Sequence, residues 1–415
     1  MKTKSILFSL VASAALFPTL AIAEHWTEFR GAGQQGHAPA DVEVPLRWSE
    51  SQNIAWKTPI AGKAWSSPIV VGSRVFVTTA VEEDGLSLRV IAVDLESGKP
   101  IWDTEVRKKP DAGRMHKKNS HASPTPVFED GKIYAHFGHH GTYCVDAKSG
   151  DIVWKQESIE YPPVHGTGGS PIVLGDKLIF SCDGAKDPIV VALDKSTGDI
   201  DWKTDRDVEV SRKFSFSTPL PIEVDGKTQV VVPGSGALIS YDPENGNEIW
   251  RCLWGEGYSV VPRPVYSHGL VIGCSGFNTA NMIAVDPTGT GDVTDSHKKW
   301  EISKRIPKES SPIVVGDLLF VNDDKGILSC VEVKTGEVKY EQRLDGQGGY
   351  SASPVYAGGH LFFHNGDGIT TVVKPTDRFE KVAENSIGEY GLSSFGVAPD
   401  GFLIRTESNL IRVKK

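Results

Sequence analysis

The chain has 415 residues and a formal net charge of −9, with 53 acidic side chains against 44 Lys and Arg. This acidic balance argues against nucleic acid as a partner, because phosphates require clustered Lys and Arg. The 43 glycines, 25 prolines and 10 tryptophans favour many short strands joined by tight turns. The five cysteines show no CxxC spacing and no adjacent pair, so at least one thiol stays unpaired within an exported chain.

Residues 1–23 have the pattern of a secretory signal peptide. Lys2 and Lys4 form a positive head, residues 5–20 an apolar middle, and residues 21–23 the small-x-small cleavage pattern. Residues 24–52 are then an N-terminal extension of the mature protein. Charges and prolines interrupt every later apolar run, so the sequence predicts no transmembrane segment. We expect a soluble protein that is periplasmic or secreted.

Residues 53–415 contain an internal repeat. The stretch Asp146–Trp154 reads DAKSGDIVW, and related stretches end at Trp102, Trp202, Trp250 and Trp300. A second signal, of the form SPIVVG, precedes each copy and recurs seven times at spacings of 42 to 56 residues. Its prolines are Pro68, Pro124, Pro171, Pro219, Pro264, Pro312 and Pro354.

Each repeat unit contains four alternating apolar runs joined by polar turns, which is typical of a β-propeller blade. After the seventh unit, the C-terminal residues supply only three further runs. The segment Asn53–Ile60, with Trp56 in the tryptophan position, has the character of the missing fourth strand. We therefore predict an all-β, eight-bladed propeller of four-stranded antiparallel blades, closed by this N-terminal strand. Such closure removes exposed strand edges.

The repeated Asp-Gly-Trp pattern predicts a structural turn. The Asp side chain can accept hydrogen bonds from backbone N–H groups two or three residues later, and the Gly can adopt positive φ. The Trp can be buried between blades. The residue two positions before the Asp is small in six units, which indicates a narrow slot in the packing. Calcium is the alternative, but most copies offer only one or two oxygen side chains. The assigned residues are Asp94, Gly98, Trp102, Asp146, Gly150, Trp154, Asp194, Gly198, Trp202, Asp242, Gly246, Trp250 and Trp56.

Candidate binding residues lie in the crossovers between blades and in the loops between the second and third strands. Topology places both sets on one face, at the mouth of the central channel, and such mouths are concave. Imidazoles and carboxylates there leave zinc or copper as an alternative to a small molecule or protein partner. We assign no catalytic and no metal residues. The candidates are Lys118, Asn119, His121, His139, His140, His165, Asp183, Arg212, Tyr258 and Tyr350.

The repeat, SP-hydrophobic followed by A-x-D, TG and W, resembles the PQQ-like repeat of quinoprotein-type propellers. In that superfamily the PQQ-dependent dehydrogenases have a vicinal Cys-Cys ring over the quinone, a Trp beneath it and a calcium held by Glu, Asn and Asp, and this sequence has no Cys-Cys. The chain is therefore more similar to the non-catalytic BamB-like outer-membrane assembly factors. The resemblance implies a monomeric scaffold with protein partners in the cell envelope and no cofactor. The alternative is an oxidoreductase dependent on a quinone (PQQ with calcium) or a metal.

Overall fold

The computed structural model describes residues 26–278 and 280–415, so the predicted signal peptide lies outside the described residues. Eight antiparallel sheets of four strands surround a central channel, which confirms the predicted all-β, eight-bladed propeller. The first strands of neighbouring sheets contact one another and line the channel. A 3-10 turn at Gly138–His140 is the one helical element among these residues. No helix in the described part is long and apolar enough to cross a membrane.

The strands of each blade run from the channel outward in chain order. Blade 1 contains Ile69–Val71, Arg74–Val81, Leu86–Asp94 and Pro100–Lys109. Blade 2 contains Val127–Glu129, Lys132–His136, Thr142–Asp146 and Ile152–Gln156. Blade 3 contains Ile172–Leu174, Lys177–Cys182, Ile189–Asp194 and Ile200–Asp205. Blade 4 contains Leu220–Val224, Lys227–Gly234, Ala237–Tyr241 and Glu248–Leu253.

The second half of the ring follows the same order. Blade 5 contains Val265–Ser267, Leu270–Cys274, Met282–Val285 and Lys298–Ile302. Blade 6 contains Ile313–Val315, Leu318–Asn322, Ile327–Glu332 and Val338–Arg343. Blade 7 contains Val355–Ala357, His360–His364, Ile369–Val373 and Lys381–Ser386. Blade 8 contains Gly396–Ala398, Gly401–Arg405 and Asn409–Lys414, with Ile54–Pro59 as its outermost strand.

The ring is closed by strands from the two ends of the chain. Ile54–Pro59 pairs antiparallel with Asn409–Lys414, from Ile54 opposite Val413 to Pro59 opposite Asn409. The predicted closing strand, Asn53–Ile60, is therefore present and is one residue shorter at each end. This pairing leaves no gap between the first and last blades.

At five junctions the tryptophan of the outermost strand packs against the turn glycine of the next blade, and Trp250 is the exception. A Cβ atom added to Gly198 would lie 2.5 Å from the ring of Trp154, and one added to Gly150 would lie 2.8 Å from Trp102. Trp154 Nε1 also donates to the carbonyl oxygen of Lys195 at 3.0 Å. Glycine is required because its φ is positive and because a side chain would displace the neighbouring blade's tryptophan.

The small residue before each turn lies opposite the tryptophan of its own blade. Ala92 pairs with Trp102 across the third and fourth strands, and Cys144 pairs with Trp154. A β-bulge follows immediately in each case. The side chain opposite the large ring must therefore be small, which accounts for this cysteine as a packing residue.

Two details of the repeat differ from the sequence prediction. In blade 2 the proline that immediately precedes the first strand is Pro126, whereas the sequence analysis took Pro124 as the repeat proline. The motif ASPTPVF contains both prolines, and the strand begins after the second. The stretched copy before Trp300 adds a short parallel strand, Gly291–Asp292, to the outer edge of blade 4. Neither Gly289 nor Gly291 of this stretch packs on the Trp250 ring, and Trp250 Nε1 donates to Gln229 Oε1 at 2.8 Å.

The N-terminal extension closes the channel at the end that carries the Asp-Gly turns. Trp26 forms a bridge with Val70 in blade 1, and His37 forms one with Tyr356 in blade 7. Arg30 Nη2 donates to the carbonyl oxygen of Pro312 at 2.7 Å. The extension therefore packs across several blades, and its division from the propeller at residues 52 and 53 stays a prediction.

Replacement of Trp56 by Ala should destabilise the closed ring. The ring of Trp56 packs on Gly98, and its Nε1 donates to the carbonyl oxygen of Leu95 at 2.9 Å. Because the side chain is half-buried, we expect a loss of about 2–3 kcal/mol in the free energy of unfolding, measured by denaturant titration. The control is Ile101→Ala, an exposed apolar residue of blade 1, which should change the value by under about 0.5 kcal/mol. Equal losses in the two variants would contradict this account.

Candidate functional site

A cavity of about 380 Å³ lies in the channel at the face that carries the crossover loops. Hydroxyl side chains from the residues at and before the first strands surround the cavity, so its walls near these strands are polar. The repeat places four of these hydroxyls, on Thr125, Ser170, Thr218 and Ser353, which stand immediately before the proline that precedes a first strand. The lining hydroxyl residues are Ser123, Thr125, Thr167, Ser170, Thr218, Ser259, Ser351, Ser353 and Ser394.

These hydroxyls also join neighbouring blades. The backbone N–H of Thr125 donates to Ser170 Oγ at 2.9 Å, and the N–H of Ser170 donates to Thr218 Oγ1 at 3.0 Å. The same contact joins Ser311 to Ser353 at 3.1 Å and Ser353 to Ser394 at 2.8 Å. Part of this hydroxyl lining is therefore engaged in the architecture.

The floor of the cavity is Phe29, which belongs to the N-terminal extension. Arg263 occupies the position where other blades have a hydroxyl, and its buried guanidinium donates to the carbonyl oxygen of Phe29 at 2.9 Å. The same group donates through Nε to the carbonyl oxygen of Pro219 at 2.9 Å. Burial lowers the pKa of Arg263 to about 10, so this side chain stays charged at neutral pH. Arg263 therefore fixes the segment that makes the cavity blind.

One side of the cavity combines histidines, aromatic rings and an arginine. The rings of His116 and His165 lie 5.2 Å apart, and His165 contacts Phe214 at 5.0 Å. The guanidinium carbon of Arg212 lies 4.6 Å from the centre of the Tyr258 ring. Burial, followed by the nearby charges of His116 and Arg212, lowers the pKa of His165. This side of the cavity has positive potential.

The opposite side carries the one carboxylate among the lining residues, Glu309. Lys118 Nζ lies 2.6 Å from Glu309 Oε2, and Ser351 Oγ lies 2.5 Å from the same oxygen. Trp65 Nε1 donates to the carbonyl oxygen of Lys118 at 2.8 Å, which fixes the backbone of this crossover. The carboxylate is therefore already neutralised by a neighbouring cation.

Asn119 connects two crossovers and orders the histidine side of the cavity. Its Nδ2 donates to the carbonyl oxygens of His165 at 2.8 Å and Thr167 at 2.9 Å. Its Oδ1 accepts from the N–H of Ser120 at 2.9 Å and from Ser123 Oγ at 2.6 Å. All its polar atoms are engaged, so Asn119 positions the loops.

Five of the ten predicted binding residues line this cavity: Lys118, Asn119, His165, Arg212 and Tyr258. Three others form a separate cluster in and beside the 3-10 turn of blade 2. There His140 Nε2 lies 3.0 Å from His121 Nδ1, and the rings of His139 and His140 lie 3.8 Å apart. Burial lowers the pKa of His139 to about 4 and that of His140 to about 2. These imidazoles are therefore neutral groups packed within a blade.

The last two predicted binding residues also lie outside this cavity. Asp183 forms a buried ion pair with Arg206, with Oδ2 3.1 Å from Nη1. Burial raises the pKa of Asp183 to about 6, and the charge of Arg206 opposes this rise. Tyr350 is buried against Gly326, and its hydroxyl donates to the carbonyl oxygen of Asp345 at 2.6 Å.

Phe29, Trp65, Phe277 and Glu309 line the cavity but were not among the predicted residues. Trp65 and Glu309 lie within three residues of a repeat proline, at the end of a crossover. The crossovers were predicted to lie on this face, but these two residues were not chosen from them. Phe29 lies in the extension, which has no repeat register. A search of every residue just before the repeat prolines would have found Glu309 and the hydroxyls.

The cavity does not match the PQQ and calcium site that the dehydrogenase resemblance implies. Calcium takes roughly six to eight oxygen ligands with several carboxylates, and the lining offers one paired carboxylate. The five cysteines are free and buried at separate positions in the blades, so none forms the vicinal ring. Within residues 26–278 and 280–415, no group of three or more His, Cys, Asp or Glu side chains is arranged to hold a metal ion.

A family model described as "Outer membrane protein assembly factor BamB" matches residues 46–141, 87–339 and 281–378. These matches extend over more than half of the chain. The chain belongs to this family. Among solved structures, BamB from Moraxella catarrhalis aligns with 87% of this chain and 99% of its own at a TM-score of 0.56 and 12% identity. A computationally designed protein, Ika8, aligns with 86% of this chain and 99% of its own at a TM-score of 0.61 and 10% identity. These structures show the fold alone.

Sequence relatives fall in both branches of the superfamily. An uncharacterised protein of Rickettsia conorii is 22% identical over 69% of this chain and 64% of its own length. The quinoprotein ethanol dehydrogenase of Pseudomonas aeruginosa is 30% identical over 32% of this chain and 23% of its own. The BamB of Yersinia pestis is 29% identical over 25% of this chain and 36% of its own. The chain spans less than two thirds of the length of each of these relatives.

Acid should destabilise the protein through the buried histidines of blade 2. Burial lowers the pKa of His136 to about 3 and that of His140 to about 2, against 6.5 for a free histidine. Below pH 6.5 the unfolded chain therefore binds more protons than the folded one, and the free energy of unfolding falls as the pH falls. Each of these histidines should contribute about 1.4 kcal/mol per pH unit between about pH 6 and 4.

The variant His140→Asn isolates this contribution. It should reduce the pH slope of the free energy of unfolding by up to about 1.4 kcal/mol per unit, whatever its effect at neutral pH. Denaturant titrations at several pH values measure the slope. The control is His116→Asn, which changes an exposed histidine of the cavity. An unchanged slope in His140→Asn would show that this imidazole titrates normally in the folded protein.

Proposed function

We propose that the protein is a non-catalytic binding scaffold of the cell envelope, which holds a partner protein at the channel-mouth face. The observation that carries this proposal is the blind cavity at the centre of that face. Crossover loops surround it, and its side chains are of the kinds that anchor interfaces, namely Trp65, Tyr258 and Arg212. Membership of the BamB family supports a scaffold role, since the family's description names an assembly factor.

The state of the reactive groups also favours binding. Glu309 is neutralised by Lys118, and Asn119 uses its polar atoms to hold backbone. Burial raises the pKa of Cys144 to about 12 and that of Cys252 to about 11, so these thiols remain protonated and unreactive at neutral pH. None of these groups has the paired arrangement of a nucleophile and its base.

The prediction of export rests on the sequence of residues 1–23, which lie outside the residues that the structure describes. The signal-peptide pattern of residues 1–23 supports a mature chain in the periplasm or outside the cell. A partner in that compartment is consistent with the description of the family, which refers to the outer membrane. N-terminal sequencing of the protein from its native envelope should give Glu24 as the first residue.

Site-specific photo-crosslinking tests the binding face. A photoreactive phenylalanine analogue at Trp65 or Phe277, introduced one at a time in the source cells, should give an adduct of one discrete mass with an envelope protein. The matched controls are Lys148 and Ser196, which are exposed in Asp-Gly turns at the opposite end of the channel. Adducts of equal yield from both ends, or none from the cavity positions, would contradict the proposal.

An activity assay tests the quinone-dependent alternative. The purified mature protein, mixed with PQQ, calcium, an artificial electron acceptor and a panel of alcohols and sugars, should show no turnover above a protein-free blank. Turnover that Arg263→Ala abolishes would assign an enzymatic role to the channel, because Arg263 fixes the cavity floor. The blank separates enzymatic turnover from reaction of the free quinone.

A further inference from the structure

The positive charge in the cavity is only partly compensated. Among the lining side chains, Lys118 is paired with Glu309, which is the one carboxylate there. Arg212 is exposed, has no hydrogen bond or ion pair within the described residues, and lies against the Tyr258 ring with its charge near His165. The chain as a whole carries −9, so a cationic cavity is a local exception. An anion that enters a concave site can form an ion pair with such an unpaired guanidinium.

His116, beside Arg212, adds a hydrogen-bond donor to the same side. His116 Nδ1 accepts from the N–H of Lys118 at 3.3 Å, which leaves its Nε2 as the protonated nitrogen. The ring of His165 is hydrogen-bonded to the backbone of Val164 and contacts the rings of His116 and Phe214. A guanidinium and at least one imidazole N–H therefore remain available to a ligand.

The rest of the lining is apolar enough to hold a hydrophobic body. The rings of Trp65, Phe216, Tyr258 and Phe277 enclose the space above Phe29. The volume of about 380 Å³ lies within the range of small-ligand sites, roughly 300–1,000 Å³. Cationic donors on one side and aromatic rings around the remainder define a ligand with a polar end and an apolar end.

We propose that this cavity binds a carboxylate attached to an apolar group, with Arg212 and His116 holding the carboxylate and the aromatic rings enclosing the apolar group. This proposal rests on the proposed function and names the chemistry that the binding face recognises. A guanidinium matches a carboxylate in geometry, because two parallel N–H groups meet two oxygens. A phosphate is disfavoured, because one full cation stands on this side and Glu309 lies across the cavity.

Calorimetric titration of the full mature protein with 3-phenylpropionate tests the proposal. We expect saturable binding that weakens as salt is added, and no binding of the neutral 3-phenylpropanamide. Arg212→Gln should weaken the affinity about tenfold, which corresponds to about 1.4 kcal/mol. The matched control is Lys213→Gln, which removes the same charge one residue away and outside this cavity. Equal losses in the two variants, or equal binding of the amide, would overturn the proposal.

A second variant should change affinity in the opposite direction. Glu309→Gln removes the negative charge of the cavity and frees Lys118, so the carboxylate should bind several-fold more tightly. Damage to the fold would weaken binding, so a gain is informative. An affinity that is unchanged or lower in Glu309→Gln, with an unaltered melting temperature, would contradict the charge argument. Tighter binding of phenyl phosphate than of the carboxylate would overturn the choice of anion.

Two probes, one a peptide and one a free acid, distinguish the sources of such a carboxylate. Gly-Gly-Phe with a free C-terminus presents it as the end of a protein chain, and 3-phenylpropionate presents it as a free organic acid. Tighter binding of the peptide, lost when its C-terminus is amidated, supports a protein terminus, whereas binding of the free acid alone supports a small molecule. If the probes fail and the photo-crosslinks form, the ligand chemistry is wrong and the scaffold role stands. If the probes bind and the photo-crosslinks do not form, the ligand chemistry is right and the scaffold role is wrong.

Discussion

The architecture depends on the contact between the tryptophan of one blade and the turn glycine of the next. At Trp154 and Gly198 the two blades approach so closely that any side chain in place of the glycine hydrogen would meet the ring. A hydrogen bond from the indole to a turn carbonyl fixes the angle between the blades. Stability in such repeat structures is a sum of neighbour contacts, so the last contact, between blade 8 and blade 1, must also form. Trp56 supplies it from the N-terminal strand.

The functional features lie where the repeat is interrupted. Arg263 replaces a hydroxyl of the inter-blade series, and its buried guanidinium binds the extension that forms the cavity floor. Glu309 and Lys118 come from crossovers that are far apart in sequence, yet they form one ion pair across the mouth. The repeat thus holds eight crossovers in fixed positions, and single substitutions within it determine the shape and charge of the cavity.

The sequence predicts the propeller well because most copies of the turn carry the same physical requirements. The Asp of Asp146–Gly150 accepts from two backbone N–H groups, the Gly has a φ of 83°, and Cys144 lies opposite Trp154. The site was predicted only in part, since topology gives the face but not the direction of each side chain. His121 and His140 turn into blade 2, whereas His165 turns toward the channel. Phe29 could not be placed, because the extension has no periodicity.

The contrast between constant blades and variable crossovers explains why two functional classes share this fold. A channel mouth ringed by independent crossovers can be given a carboxylate set for calcium or a cationic set for an anion without a change in any blade. In this chain the lining carries one compensated carboxylate and an uncompensated Arg212 beside two imidazoles. The charge at the mouth, and not the repeat that resembles the quinoproteins, therefore determines which ligands the channel can hold. By the charge of its channel mouth, this chain binds an anion that enters from the solvent.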